Sequence, residues 1–289
     1  MQEKFIAFIS SEWAEGKRPH ELELLKILLK KSDHVFYRLA QQLKDKWQIA
    51  YKPNTVENLI NIMTANFMTG TGADTYADCV FIEEADGDYT ISKVFAKCLQ
   101  NEDFKRMVNE LIEFGLHRYA INYSEMYKDS GFQLYQKYSY KDVCRLLNWS
   151  QNVIPQNMGG YKYDDTTKTY PIFINYEKAE DVQESINYED RFLNNGQLIS
   201  LSKSKRTEKS KDVQQFINAQ KLGVAVDLFV RKNKDDKVAK SFYYLGRMSM
   251  YDHKQIQMPG AGVSAVEMFW NLDVSVREDI YDYLTSENA

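Results

Sequence analysis

The sequence predicts an α+β protein, with a helical N-terminal part followed by a C-terminal part built on a curved mixed sheet or small barrel. Three observations predict it. Apolar residues recur at helical spacing through most of residues 1–130. Beyond Trp149 the pattern changes to short runs rich in aromatic and β-branched residues that alternate with polar ones. Few helical stretches separate those runs, which disfavours the regular strand–helix alternation of a parallel sheet.

The elements follow in order. "PHELELLKILLKKSDHVFYRLAQQLKDKW" predicts two helices, the second capped by Ser32 or Asp33. "PNTVENLINIMTANFM" adds another, with Asn54 as cap, Glu57 three residues on, and Leu59, Ile60, Ile62 and Met63 on its apolar face. "DCVFIEEADGDYTIS" reads as a hairpin within 79–91, turning at Asp86-Gly87. In "EDFKRMVNELIEFGLHRYAINYSEMY", Phe104, Met107, Val108, Leu111 and Ile112 share a helix face. Ser139 starts a short helix whose Val143, Leu146 and Leu147 face inward. Strands are then predicted at "YPIFINY", "GQLISLS", "GVAVDLFVRK", "KSFYYLGRMSM" and "SAVEMFWNL", with helices at "KSKDVQQFINAQ" and "SVREDIYDYLTS". In "VAVDLFVR", Val224, Val226, Leu228 and Val230 alternate with Ala225, Asp227, Phe229 and Arg231, as a sheet with two unlike faces requires. The change of texture puts a boundary near residue 135, giving a helical domain over 1–134 and a second domain over 135–289.

Composition narrows the class. At 289 residues, 44% hydrophobic and 27% charged, the chain is globular and long enough to bury a proper core. Aromatics reach 13%, with 20 tyrosines, whose apolar faces and polar tips suit half-buried stacking surfaces. Cys79, Cys98 and Cys144 follow neither a disulfide framework nor a zinc spacing, so no metal or other cofactor is expected and a reducing cytoplasm is. No run approaches the roughly 18 apolar residues of a membrane span, so no membrane partner is expected. The net charge of −4 hides an asymmetry. Ser200–Arg247 holds 12 Lys/Arg against five Asp/Glu, which suits a local polyanion site in an otherwise acidic chain.

"YQKYSYKDVCRLLNW", "GGY", "YPIFINYEK", "YEDRF", "SKSKRT", "LFVRK" and "FYYLG" occur in an order and spacing that resembles the C-terminal domain of bacterial DEAD/DEAH-type helicases. The same run is similar to the target-recognition end of SauUSI-type Type IV, modification-dependent restriction enzymes. The likeness is dense over 135–247 and continues more loosely over 260–284. It implies phage defence, with a nuclease and a helicase-type ATPase as partner domains. No GxxxxGK[ST] loop and no HxK pair occurs in this sequence, so the chain is expected to be no enzyme itself but the recognition end of a larger machine, or a piece of one. A second resemblance is to SRA domains, which bind 5-methylcytosine by flipping it out of the duplex. It implies an SRA- or PUA-like fold for the second domain. Gly159, Gly160 and Tyr161 match their glycine-glycine-tyrosine turn, and Asp164 and Asp165 the acids that follow. Lys162 and Tyr163 make that spacing one residue longer than in the family.

These resemblances imply double-stranded DNA containing C5-modified cytosine as the partner, 5-methylcytosine or 5-hydroxymethylcytosine. Extruding a base costs about a few kcal/mol, and stacking on an aromatic side chain returns roughly 1–3 kcal/mol. Tyr161 with Tyr170 or Phe173 is the expected sandwich. Asp164 or Asp165 is the expected acceptor for the cytosine N4 amino group, and Gly160 the expected close backbone approach. Lys203, Ser204, Lys205, Arg206, Lys209 and Lys211 mix cations with small hydroxyls in a pattern suited to phosphates. Each candidate also has a plain structural reading: the tyrosines as sheet cover, the aspartates as turn residues, the lysines as a solvated loop. Two alternatives stay open, a docking or regulatory module of a helicase and a single-strand nucleic-acid binder. An intrinsic nuclease would need Asp164 or Asp165 with a Glu-x-Lys, where this chain has Glu177 directly beside Lys178.

Overall fold

The computed structural model describes residues 1–52, 54–177, 190–233, 241–258 and 262–286. Backbone contacts divide the chain into two compact units. One comprises Met1–Gln133 with Cys144–Ile154, the other Leu134–Val143 with Pro155–Ala289.

The first unit is helical. Gln2–Phe8 (α1) runs into a π-helical turn at Ile9–Trp13, followed by His20–Leu29 (α2), Val35–Trp47 (α3), Thr55–Met63 (α4) and Thr71–Tyr76 (α5). A hairpin of Ile82–Ala85 (β1) and Asp88–Ile91 (β2) turns at Asp86 and Gly87, both at positive φ. Lys93–Cys98 (α6) and the 21-residue Glu102–Asn122 (α7) follow. Rings of Phe5, Phe8, Trp13, Phe81 and Phe95 pack with centroids 4.6–5.4 Å apart and form the core. Helix α2 is buried almost all round, so its acids need partners inside. Glu23 finds Trp47 Nε1 at 2.8 Å and Lys46 Nζ at 2.9 Å.

Two predicted caps are not used. Helix α3 begins after His34, held at φ +54, and neither Ser32 nor Asp33 caps it. The His34 N–H donates instead to the Asp88 carboxylate of β2, 2.6 Å away. Asn54 does precede α4, but its φ of +66 lies outside the extended region that N-capping requires, and its side chain makes no cap bond. Met107 is exposed rather than core-facing.

The second unit carries the sheet. Lys137–Tyr138 (β3) leads to the helix Tyr140–Leu146 (α8), whose residues from Cys144 on belong to the first unit and whose start is a capping box as Ser139 predicts. Asp142 N–H donates to Ser139 Oγ at 3.2 Å, and Ser139 N–H to Asp142 Oδ2 at 2.8 Å. Then come Pro155–Met158 (α9), Thr169–Glu177 (β4), Arg191–Asn194 (β5), Gln197–Leu201 (β6), Lys211–Ile217 (α10), Ala225–Asn233 (β7), Phe242–Gln257 (β8), Ser264–Leu272 (β9) and Glu278–Thr285 (α11). The strand order is β4-β7-β8-β9-β6-β5, with β3 beside β8. Only β4 and β7 run parallel among the paired strands; the other pairs are antiparallel, so the sheet is mixed. Bulges in β7–β8 and β8–β9 curl it. The first residues of β8 pair with β7 and β3, and those from Met248 onward pair with β9.

The alternation of β7 is realised as predicted. Val224, Val226, Leu228 and Val230 join Tyr170, Ile172 and Ile174 of β4 in the core, under Val213 and Phe216 of α10 and Ile280 and Leu284 of α11. The other face stacks Phe173 on Phe229 at 5.1 Å, with Tyr140 and Phe242 beside them. The architecture is α+β with a curled mixed sheet, as the sequence predicts. Among the described residues, no helix is long and apolar enough to cross a membrane.

Candidate nucleic-acid interface

Gly159 and Gly160 lie at φ +58 and +87, and the chain turns there into a short antiparallel pairing against β4. Phe173 N–H donates to the Gly160 carbonyl at 2.7 Å, Tyr161 pairs with Ile172, and Asp164 with Thr169. The hairpin reading of this stretch is therefore realised. At Gly159 a Cβ would meet only the mobile end of the Lys203 side chain, at an ordinary contact distance of 3.4 Å, so it is the left-handed turn that calls for glycine.

Tyr161 points inward and is only 4% exposed. Its hydroxyl donates to Asp212 Oδ2 at 3.1 Å and accepts from the Lys203 N–H at 3.0 Å. Lys203 folds back over the Tyr161 ring, 4.5 Å from its centroid, and donates to the Tyr161 carbonyl at 2.9 Å. Arg206 Nε donates to the same Asp212 oxygen at 2.7 Å. Tyr170 donates to the Asp212 carbonyl and lies flat on Phe216, centroids 3.7 Å apart. Burial pushes both phenols well above the usual tyrosine range. Burial also lowers Lys203 and opposes ionisation of Asp212, but Arg206 and Tyr161 outweigh it and hold Asp212 below the usual range.

Outside this network lies an open concavity of ≈ 560 Å³. Tyr163 and Tyr170 form part of its wall, Lys162, Lys203, Arg206 and Lys211 bring four cations to it, and Asp212 is its carboxylate. Such a site can take a phosphate on its rim and present a ring face and an acceptor deeper in.

The sequence-predicted residues separate on this geometry. Tyr161 and Tyr170 come together, but edge to face at 5.8 Å, with Phe216 already against Tyr170, so they do not form an open sandwich. Phe173 cannot pair with either, because it lies on the opposite face of β4. Asp164 closes the turn by accepting from the Thr167 N–H and hydroxyl at 2.8 and 2.7 Å. Asp165 is exposed, bonded to Lys168 Nζ at 2.7 Å and to the Tyr163 hydroxyl at 3.2 Å. Neither aspartate lines the concavity. Among the predicted phosphate ligands, Lys203 and Arg206 are held inward, while Ser204, Lys205, Lys209 and Lys211 are exposed. Tyr188, Glu189 and Lys178 lie outside the described residues.

Asp212, Phe216, Lys162 and Tyr163 are the additions the structure makes. Asp212 stands in the first turn of α10, where an acid reads as ordinary helix chemistry. A hint was available in Phe216, four residues on and so on the same helix face.

Comparison with known proteins places the chain by sequence. The family described as a domain of unknown function, DUF3427, matches residues 132–284, more than half of the chain. The chain belongs to the DUF3427 family. A second domain of unknown function, DUF8090, matches residues 1–121. No curated protein matches in sequence. Among solved structures, the chain is similar to the SUVH5 SRA domain in complex with hemimethylated CG DNA, at 11% identity and TM-score 0.36 over 51% of this chain and 93% of that one. It is similar to the same domain bound to fully hydroxymethylated CG DNA, at 12% identity and TM-score 0.33 over 50% and 92%. The DNA modification-dependent restriction endonuclease AspBHI is similar at 11% identity and TM-score 0.33, over 51% of this chain and 42% of that one.

Proposed function

We propose that the chain is a DNA-binding target-recognition module that reads C5-modified cytosine. The observation that carries this reading is the open concavity, where four cations, three tyrosines and one carboxylate converge. The sequence resemblance to SauUSI-type recognition ends and to the SRA turn supports the choice of ligand.

In this reading the work falls to residues that converge at the concavity. Lys162, Lys211 and the exposed Lys205 and Lys209 meet the backbone. A phosphate arriving at the rim competes with Asp212 for Arg206, since a guanidinium binds either oxyanion in the same fork. The Asp212 carboxylate then turns to the N4 amino group of an extruded cytosine, and the half-exposed Tyr163 ring offers the stacking face. Tyr161 holds Asp212 in place rather than touching the base. A C5-methyl adds about 0.8 kcal/mol on burial, so discrimination by one such pocket stays modest and 5-hydroxymethylcytosine is admitted too. In this reading the chain itself performs no catalysis, and cleavage and ATP hydrolysis belong to nuclease and helicase-type partners in a Type IV restriction system.

The test is a pair of fluorescence titrations on one duplex with and without 5-methylcytosine, at fixed salt. The modified duplex should bind more tightly. Equal affinity for both, or a preference for single strands or RNA over duplex, would sink the reading.

A further inference from the structure

Helix α7 carries two apolar stripes. Phe104, Val108, Ile112, Gly115, Leu116 and Tyr119 are buried and hold the helix on its own unit. The second stripe runs through Met107, Leu111, Phe114, Arg118 and Ile121, at steps of four, three, four and three residues. That is the spacing with which helices pair along a coiled-coil seam. Met107, Phe114 and Ile121 are 40%, 52% and 65% exposed, and Leu111 and Arg118 are half-buried. At about 1.5 Å per residue the three exposed side chains span about 21 Å. They form one continuous strip, and such strips mark interaction surfaces where scattered apolar residues do not.

We infer that this strip is a dimerisation seam, on which a second copy of the chain docks its own α7 in the antiparallel sense. The partner is chosen by a pattern that reads alike in both directions from Phe114. Seven residues away on either side stand Met107 and Ile121, both apolar. Four residues away stand Glu110 and Arg118, of opposite charge. A two-fold axis at Phe114 sets that ring against its copy, Met107 against Ile121, and Glu110 toward Arg118, with each unlike contact made twice. A parallel pairing would instead bring each charge to its own copy, which is repulsive. An unlike partner gives no reason for the symmetry. Asp103 and Glu110 along the strip disfavour an anionic lipid surface.

The two charged groups are placed for this contact. Arg118 is braced by its Nε on the Glu15 carbonyl at 3.2 Å, with its guanidinium carbon 5.7 Å from the Phe114 ring centroid. Its terminal nitrogens are left to meet a carboxylate. Glu110 stands 3.9 Å from Arg106 Nε, beyond hydrogen-bond length, so little ties it to its own helix. Exposed ion pairs add little affinity, so the apolar strip supplies the attraction and the charges fix the direction. A charged residue at one seam position has the same consequence, some loss of affinity in return for a defined orientation.

The experiment is sedimentation velocity on the full chain across the micromolar range. The sedimentation coefficient should rise with concentration from that of a monomer to that of a dimer. Phe114→Glu puts two charges at the axis and should weaken dimerisation at least about thirtyfold. Phe114 is more than half exposed, so the urea midpoint of the monomer should stay where it is. Glu110→Arg and Arg118→Glu should each weaken the dimer about tenfold. The double variant exchanges the two charges and should return to within about threefold of the parent chain. Leu222→Ser, at an equally exposed residue of the second unit, should change nothing. A chain that stays monomeric throughout overturns the inference, and so does a dimer indifferent to Phe114→Glu. A double variant that fails to recover overturns the antiparallel pairing. None of these results would bear on the DNA titrations.

Discussion

Two arginine–carboxylate pairs, one in each unit, have the same chemistry and opposite circumstances. Arg18 and Glu21 are 5% and 0% exposed, and Glu21 also faces Arg145 at 3.3 Å. Arg206 and Asp212 are 38% and 21% exposed, and the wall of an open concavity includes both. A fully buried pair has no alternative partner, so breaking it leaves a desolvated charge. A half-exposed pair can trade its partner for water or for another ion at little cost. The first pair therefore holds a structure together, and the second is suited to exchange.

The sharpest way to break this contrast is Glu21→Gln. It should cost about 3–5 kcal/mol of stability, because two guanidiniums lose their carboxylate. Urea unfolding followed by tryptophan fluorescence reports it, since Trp13 and Trp47 belong to this unit. A cost below about 1 kcal/mol would put Glu21 among ordinary surface pairs and end the distinction. Acid gives the same answer more gradually. Burial opposes ionisation of Glu21, but Arg18 and Arg145 outweigh it and bring its pKa from 4.5 to about 2 in the folded chain. A carboxylate depressed on folding contributes its stability fully above the unfolded value and loses it as pH falls through the folded one. Urea midpoints should therefore drop between about 4.5 and about 2, and Glu21→Gln should flatten that drop.

Asp212→Asn probes the other pair. Its stability cost should stay near or below about 1 kcal/mol, while the preference for 5-methylcytosine over cytosine should vanish in the paired titrations. A variant that kept full preference would remove Asp212 from the reading site. The smallest effect belongs to Lys205→Ala, which leaves stability unchanged and weakens modified and plain duplex alike. Its signature is a salt dependence flatter by about 0.9 in log–log slope.

Much of the fold was legible because it depends on local periodicity. The alternation over 224–231 named the buried face of β7 residue by residue, and Asp86-Gly87 announced its hairpin. The candidate site was less legible, for two different physical reasons. Tyr170 and Phe173 are three residues apart on one strand, and an odd separation puts two side chains on opposite faces. That parity was readable, and it allowed only one of Tyr170 and Phe173 to face Tyr161; which of the two does so depends on how the turn at 159–161 meets the strand. The meeting of Tyr161 with Asp212, 51 residues on, was not readable, because no local pattern ties a tyrosine in a turn to the first turn of a later helix. Asp164 illustrates the converse. Two bonds to Thr167 commit it to the turn, which is the common fate of aspartate in such a position.

Strand β8 has a consequence for which changes in chain length the family can tolerate. It spans 16 residues and aligns β7 and β3 at one end and β9 along the rest. Met250 faces Trp270 and Asp252 faces Phe269, so Tyr251 between them is surplus to the ladder, and it is exposed. Deleting Tyr251 would leave the remaining β8–β9 partners matched. Deleting a paired residue beyond it, such as Lys254, would carry every later side chain of the strand to the wrong face. Length variants of this strand should therefore be confined to the single position where the ladder already carries a spare residue.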